Sequence, residues 1–325
     1  MAGNTNFDTL TSTTLMNYKK TMTDNIFTAN PLFYWLKEKN QMKTDDSGGT
    51  KIVVPLMYGM NNTAKSYNGY DVIDVIPQEG MDAVEYEWKQ YAVGISISGR
   101  EEFQNSGEGR LINLLEAKIK QAELSLIDLF ATDLFKAAAS VGTNDLVSIP
   151  TAITATGYGA LGNITSSSSA NTWWKNYFDA SATKTTTDYD NLLSDVFLLL
   201  LSTAKGNDRC DIGIMPAAVY SGLEGLLVKT INFIPQLKNT KAVDVGYDNY
   251  RIKGCTIMYD ENTPTGYAYF LNTKYIQLVT GAGKDFVNTP FIKPDNGDYK
   301  TCHILWYGNL VCSNRARQGY LGSIT

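Results

Sequence analysis

The chain has 325 residues and a mass of 35.9 kDa, enough for one large domain or two ordinary ones without disulfides or metals. Apolar residues make up 43% and charged residues 19%, which excludes intrinsic disorder. The formal net charge of −5 excludes a protein that grips nucleic acid by whole-molecule charge, but not a local basic patch.

Residues 1–46 read as a polar arm with short helical pieces. Leu15, Tyr18, Met22, Ile26 and Phe27 recur at roughly helical spacing, Asn30-Pro31 interrupts, and Leu32 to Leu36 restart an apolar patch. An arm carrying Phe27, Phe33, Tyr34 and Trp35 needs a surface to lie on, either its own body or a neighbouring subunit. Met1 to Asn6 has no basic start and no apolar core, so no signal peptide is expected there.

Ser47-Gly48-Gly49 is a turn signal. Lys51 to Tyr58 is strand-like, with Pro55 placing it at an edge or bulge. A stretch rich in Gly, Asn and Tyr follows from Gly59 to Gly80 and includes Tyr67 and Tyr70. Glu85 to Ser98 is strand-like again, with Tyr86, Trp88 and Gln90 alternating against Glu85, Glu87 and Lys89. The two strands predict a long hairpin. From Asp71 to Glu87 there are six acids and no base. A lone two-stranded hairpin is marginal in water, so this one is expected to lie against other chains.

The strongest helix signal follows. Asn105 or Ser106 can cap it, Glu108 suits its positive end, and Leu111, Leu115, Ile119, Ala122, Leu126, Phe130 and Leu134 form one stripe. The spacing predicts a spine helix over residues 108–139. Residues 140–187 read as surface loops and short strands anchored by Trp173-Trp174. Thr187 or Asp188 then caps a helix to about Lys205, closed by Gly206. Its apolar residues, Leu192, Leu193 and Val196 to Leu201, cover nearly all faces, which predicts a buried helix. At six residues, Val196 to Leu201 is the longest apolar run; a membrane helix needs about 20.

From 211 the rhythm is mixed. Ile212 to Met215 is a strand, Pro216 opens a helix to about Val228, and Cys255–Tyr259, Tyr267–Leu271 and Tyr275–Thr280 are strands. A last strand or strand pair runs from Cys302 to Val311. The segment from about 211 to 295 reads as an insertion into a body made of the spine helix and the C-terminal strands.

Motifs for chemistry are weak. Gly157-Tyr158-Gly159-Ala160-Leu161-Gly162 matches G-x-G-x-x-G, but Asn163-Ile164-Thr165 and four serines follow instead of a helix start. A glycine-rich turn is the better reading. Gly281-Ala282-Gly283-Lys284 lacks the earlier Gly and the later Ser or Thr of a phosphate loop. The single histidine, His303, sits in an apolar strand and is expected to be packed or hydrogen-bonded. Cys210, Cys255, Cys302 and Cys312 form no C-x-x-C pair and are expected to be buried free thiols of a reducing cytoplasm. Asp45-Asp46 and Glu101-Glu102 read as solvated turns. Arg315 and Arg317 form a small basic cluster suited to an ion pair within or between subunits, or to phosphate. Twenty tyrosines at low charge suggest much surface hidden in contacts. No catalytic, cofactor-binding or metal-binding set emerges.

The order of parts resembles the tailed-phage major capsid proteins of the Hong Kong 97 fold, an α+β architecture. The stretches that carry the resemblance are Gly48 to Leu56, Trp88 to Tyr91, Ile95 to Gly99, Leu114 to Glu123, Leu161 to Ile164, Leu305 to Leu310 and Ser313 to Arg315. The resemblance implies an N-terminal arm over 1–46, an E-loop over 47–104, a P-domain over 105–210, an A-domain over 211–298, and C-terminal strands over 299–325 returning to the P-domain. It implies a non-catalytic shell subunit forming hexamers and pentamers around double-stranded DNA that it contacts only weakly. A portal is an implied partner; the start of the E-loop near residue 47 leaves no room for the long cleaved scaffold segment of some members, so the chain is either a matured form or works with a separate scaffolding protein, and Met1 favours the second. Location would be the virion, after assembly in the host bacterial cytoplasm, with no membrane. Phe27, Trp35, Tyr67, Tyr70, Trp88, Arg315 and Arg317 are the candidate assembly residues, and Gly48, Gly49 and Gly99 the candidate E-loop hinge. The covalent crosslinking of some family members is not carried over, because Lys65 has no assignable partner or catalytic acid. The alternatives are an encapsulin-like nanocompartment shell and a soluble α/β nucleotide-binding enzyme.

Overall fold

The computed structural model describes residues 30–45, 48–73, 75–104, 108–179, 189–230 and 250–324. The expected caps at Asn105, Ser106, Thr187 and Asp188 lie outside these residues, as do the arm up to residue 29 and Asp46.

The chain builds two cores that share a sheet. The spine helix, Glu108–Phe135, buries Leu115, Ile119, Ala122, Leu126, Phe130 and Leu134, the stripe read from the sequence. At 1.5 Å per residue its 28 residues span about 42 Å. The stripe lies on a five-stranded sheet whose longest member is Tyr299–Cys312. One edge of that strand pairs antiparallel with Lys89–Ser98, from Tyr299↔Ser98 to Gly308↔Lys89. Its other edge pairs with Val287–Asn288 and Ile276–Gly281, and Met42–Asp45 adds a parallel strand outside the last. Phe130 is the hub of this core. Its ring lies 4.9 Å from Trp306, 4.7 Å from Tyr91 and 6.0 Å from Phe33. The short helix Pro31–Glu38, capped by Asn30, buries Leu32 to Leu36 beside it.

The second sheet has six strands in the order Tyr177–Asp179, Gly319–Leu321, Ala268–Leu271, Ile212–Met215, Cys255–Tyr259, Tyr250–Ile252. Alternation along its strands divides the side chains between two faces. Ile212, Ile214, Met258, Tyr269 and Leu271 join the spine-helix core. Cys255, Ile257, Ala268 and Phe270 pack instead with Leu192, Val196 and Leu199 of the helix Tyr189–Thr203 and with Val219 and Leu223 of the helix Ala217–Thr230. Strands from either side of residue 298 meet in both sheets.

Four expectations need correction. The spine helix ends at Phe135, not at 139, although Ala137 to Ala139 favour helix. Lys136 pairs with Asp145, which also accepts from the Gly142 N–H, and that turn draws the chain away. The strand expected over Glu85 to Ser98 is two strands broken at Trp88, and the buried positions change parity from Val84 and Tyr86 to Tyr91, Ile95 and Ile97. There the Glu87 carbonyl accepts from Asn309 Nδ2 at 2.9 Å. The helix Tyr189–Thr203 is not enclosed, since Leu198 and Leu201 are exposed. Glu101 and Glu102 do not form a solvated turn. Ser98 and Glu101 make a reciprocal cap for the helix Gly99–Gln104, and Lys118 and Lys300 pair with the two acids.

Candidate assembly surface

The hairpin is two structures in series. Its base pairs Lys51–Met57 with Met81–Glu87, from Lys51↔Glu87 to Met57↔Met81. The inward side buries Ile52, Leu56, Val84 and Tyr86. Tyr86 donates its hydroxyl to the Cys312 carbonyl at 2.8 Å and accepts from the Cys312 N–H at 3.2 Å. Pro55 lies in a strand whose second edge has no partner among the described residues, the edge setting in which proline is tolerated.

The glycine-rich stretch supports this base. Gly159–Leu161 and Ile164–Ser166 form a miniature hairpin closed by Gly162-Asn163. Gly162 has φ +63°, and a Cβ there would stand 2.5 Å from Val84 Cγ2 and 2.7 Å from the Glu85 carbonyl oxygen. Only glycine permits both the turn and the approach. Asn163 then acts as a detached piece of strand: its Nδ2 donates to the Ala83 carbonyl at 3.2 Å, and its Oδ1 accepts from the Glu85 N–H at 3.0 Å. The glycine-rich turn read from the sequence is there, and it serves as a latch on the hairpin. Tyr58 adds a second hold by stacking on Trp173, with centroids 4.4 Å apart.

Beyond the latch the chain changes. Tyr67, Tyr70, Val72, Ile73, Val75 and Ile76 are each more than half exposed, and Met57, Met60 and Met81 are as open. Exposed apolar residues gathered in one stretch make a candidate contact surface. Tyr67 and Tyr70, chosen from the sequence, are among them.

The remaining candidates fall elsewhere. Phe27 lies outside the described residues. Trp35 is buried and donates Nε1 to Asp211 Oδ2 at 3.1 Å, so it holds the arm helix to its own body. Trp88 is half-buried and donates Nε1 to the Gly49 carbonyl at 3.1 Å, closing the hairpin root. Arg315 makes no ion pair among the described residues and is fully buried. Its guanidinium donates to the carbonyls of Ala152, Gly159 and Trp174 and lies 3.4 Å from Asn176 Oδ1. It braces the loops that carry the latch and is withdrawn from the assembly surface. Arg317 donates to the Thr203 carbonyl at 3.0 Å. Gly48 and Gly49 have φ +67° and +112°, whereas Gly99 has no positive φ and is limited by Asp298, 2.2 Å from where its Cβ would stand. Asn163 and Trp173, which do the holding, carry no catalytic-looking signature, and only the tight Gly-Asn turn hints at them.

All four thiols are free and buried, and burial pushes Cys210 up to about 12 and Cys302 and Cys312 up to about 11. His303 is exposed rather than packed, its ring lying over Gly94. Among the described residues no group of three His, Cys, Asp or Glu side chains could hold a metal, and no helix is long and apolar enough to cross a membrane.

No family model and no curated protein sequence matches the chain. Solved structures do. The capsid asymmetric unit of cyanophage A-1(L) superposes with a TM-score of 0.66 at 11% identity, over 88% of this chain and 90% of that one. The capsid of the Myoviridae phage XM1 gives 0.54 at 12%, over 88% and 91%. The holo-SrpI encapsulin complex of Synechococcus elongatus PCC 7942 gives 0.51 at 10%, over 89% and 87%. The chain therefore has the α+β Hong Kong 97 capsid fold expected from the sequence.

Proposed function

We propose that this chain is the major shell subunit of a tailed-phage head, assembling as hexamers and pentamers into an icosahedral container for double-stranded DNA. The carrying observation is the hairpin: a latched base bearing exposed apolar residues from Tyr67 to Ile76 that the described residues of its own chain leave uncovered. On a shell fold, neighbouring copies cover them. The role is structural and non-catalytic, in keeping with the raised thiols. The net negative charge suits a container that releases its DNA. A separate scaffolding protein and a portal are the proposed partners, and the virion the proposed location, after assembly in the bacterial cytoplasm. Of the domain ranges read from the sequence, the E-loop is proposed to be the mobile one, with Gly48 and Gly49 at its root.

The likeness to an encapsulin favours one second reading, a nanocompartment shell around a protein cargo. Light scattering and electron microscopy of the chain expressed alone, then with its neighbouring genes, test both. Closed polyhedral shells are expected, and shells purified from infected or induced cells should hold DNA. Shells holding an enzyme and no DNA would replace the phage reading with the compartment. A stable monomer under every condition would overturn both.

A further inference from the structure

The sequence has two Asn-Gly pairs, Asn68-Gly69 at the hairpin tip and Asn296-Gly297 before the C-terminal strand. Both asparagines are exposed, and the fold treats them differently. Asn68 opens a turn closed by two bonds. The Asp71 N–H donates to the Asn68 carbonyl at 2.7 Å, and the Asn68 N–H donates to Asp71 Oδ2 at 2.8 Å. Within that turn the Gly69 N–H donates to Oδ1 of Asn68 itself at 2.9 Å. The Asn68 carboxamide is therefore folded back onto the next peptide nitrogen, and among the described residues that N–H has no other acceptor. Gly69 has no Cβ to screen the nitrogen, and nothing described lies within 4 Å of where one would stand. At the second pair the Gly297 N–H is committed to the Pro294 carbonyl at 3.3 Å. Tyr299 also crowds that glycine, with its Cε1 2.2 Å from where a Cβ would stand.

We infer that Asn68 is a site of self-modification, where the chain converts its own asparagine to aspartate or isoaspartate with water as the only co-reactant. Hydroxide takes the Gly69 amide proton, and the nitrogen attacks Asn68 Cγ. A five-membered succinimide closes as the Cγ–Nδ2 bond breaks, and ammonia leaves with a proton from water. Water then adds to either ring carbonyl and opens the ring, leaving a carboxyl where the amide was. Such a closure is fast when the reacting atoms are already held together, as the Asn68 side chain holds them here. Each conversion adds one negative charge, since the new carboxyl is ionised at neutral pH. The charge falls beside Asp71, where the stretch from Asp71 to Glu87 already holds six acids and no base. Isoaspartate also lengthens the main chain of the turn by a methylene. The conversion thus ages the tip that presents Tyr67, Tyr70 and Val72. It needs only this turn and water, and does not depend on the shell reading.

Timed incubation tests it. The subunit-sized fraction of the full-length chain is held at neutral and at alkaline pH in water enriched in heavy oxygen, beside the same chain in urea. Digestion in ordinary water and mass spectrometry then count only the conversion that occurred during incubation. In the folded chain Asn68 should take up label on the order of tenfold faster than Asn296, the scale of a near-attack geometry held against one missing, and faster still at the higher pH. In urea, where Gly297 is released, the two rates should converge. Isoelectric focusing should show the aged chain moving to the position of N68D. Two variants should fold normally and resist ageing at this residue. N68Q must close a larger ring, and G69A screens the nitrogen at a position with ordinary φ and free space. Equal rates for Asn68 and Asn296 in the folded chain would overturn the inference, since sequence alone would then set them. So would an Asn68 that keeps its amide while Asn296 converts, or a G69A chain that converts at residue 68 as fast as wild type.

Discussion

The spine-helix core and the hairpin tip use the same kinds of residue to opposite ends. Around Phe130, the rings of Phe33, Tyr91, Phe286 and Trp306 meet within 4.7 to 6.1 Å, and none is exposed. At the tip, Val72, Val75 and Ile76 are as apolar and are 79%, 91% and 64% exposed. Folding of the single chain satisfies the first set and leaves the second unsatisfied. In the proposed shell, hydrophobic residues thus report two different events, folding and association, and only topology separates them.

The sharpest way to break that contrast is to mutate one residue from each set. Phe130→Ala should lower the stability of the unassembled chain by about 3–5 kcal/mol, the usual cost of emptying a buried aromatic site. Urea denaturation measures it. Ile76→Ser should leave the urea midpoint unchanged and reduce assembly. Equal losses of midpoint in both variants would mean that the tip is part of the folding core.

Arg315 ranks next, because it is a buried charge without a carboxylate. Arg315→Leu removes the donors to three carbonyls and strands them in the interior, at about 1–3 kcal/mol for each group left unpaired, offset by relief of the buried cation. A net loss of about 2–4 kcal/mol in a urea titration is expected. Arg315→Lys should not rescue it, since an ammonium cannot fork to groups on several loops.

Alkali acts on the same body. The thiols of Cys210, Cys302 and Cys312 titrate near 9 when free and at about 12, 11 and 11 in the fold, all raised by burial. The fold favours the neutral thiol, so this contribution is complete below pH 9 and is lost as pH rises from there through 11 to 12. Unfolding monitored across that range should show the fall, and C302A should blunt it. At pH 8 the native thiols should resist a disulfide reagent that titrates all four in denaturant.

Much of this body was legible in the sequence because burial there follows a period. The stripe from Leu115 to Leu134 is a helical repeat, and Ile212, Cys255 and Ala268 open strands the apolar runs predict. Legibility failed where a single side chain redirects the backbone. Asp145 ends the spine helix early, Asn309 breaks the strand at Trp88, and neither has a local pattern. The candidate surface was half legible. Tyr67 and Tyr70 stood out by type, but Trp35 and Arg315 look like interface residues and are structural, since composition does not reveal which side of a fold a residue faces. The turn at Gly162-Asn163 was legible from its glycines, but the bonds of Asn163 to Ala83 and Glu85 were not, since they join segments about 80 residues apart.

The latch divides the two regions, and changing it should move residues between them. Gly162→Ala forces an unfavourable φ and a contact with Val84, for about 1–3 kcal/mol. Asn163→Ala loses two hydrogen bonds to exposed backbone, about 1 kcal/mol. Hydrogen exchange should quicken at residues 83–85 in both variants and stay unchanged along the spine helix. Faster exchange along the spine helix as well would mean that the latch belongs to the core.

The smallest effects belong to the root, and they separate two kinds of glycine. Gly48 has φ +67° with open space around it, so Gly48→Ala carries only backbone strain, about 1–2 kcal/mol. Gly48→Asn should recover much of that, because asparagine tolerates the left-handed region. Gly99 has ordinary backbone and faces only the carboxylate of Asp298, which is largely exposed and swings aside. Gly99→Ala should therefore be nearly silent. If the hairpin moves during shell expansion, the pivot is at Gly48-Gly49. Expansion followed by electron microscopy should then slow in Gly48→Ala, recover in Gly48→Asn and stay normal in Gly99→Ala. The opposite order would place the pivot at the start of the helix Gly99–Gln104, where the backbone has no conformational reason to need glycine.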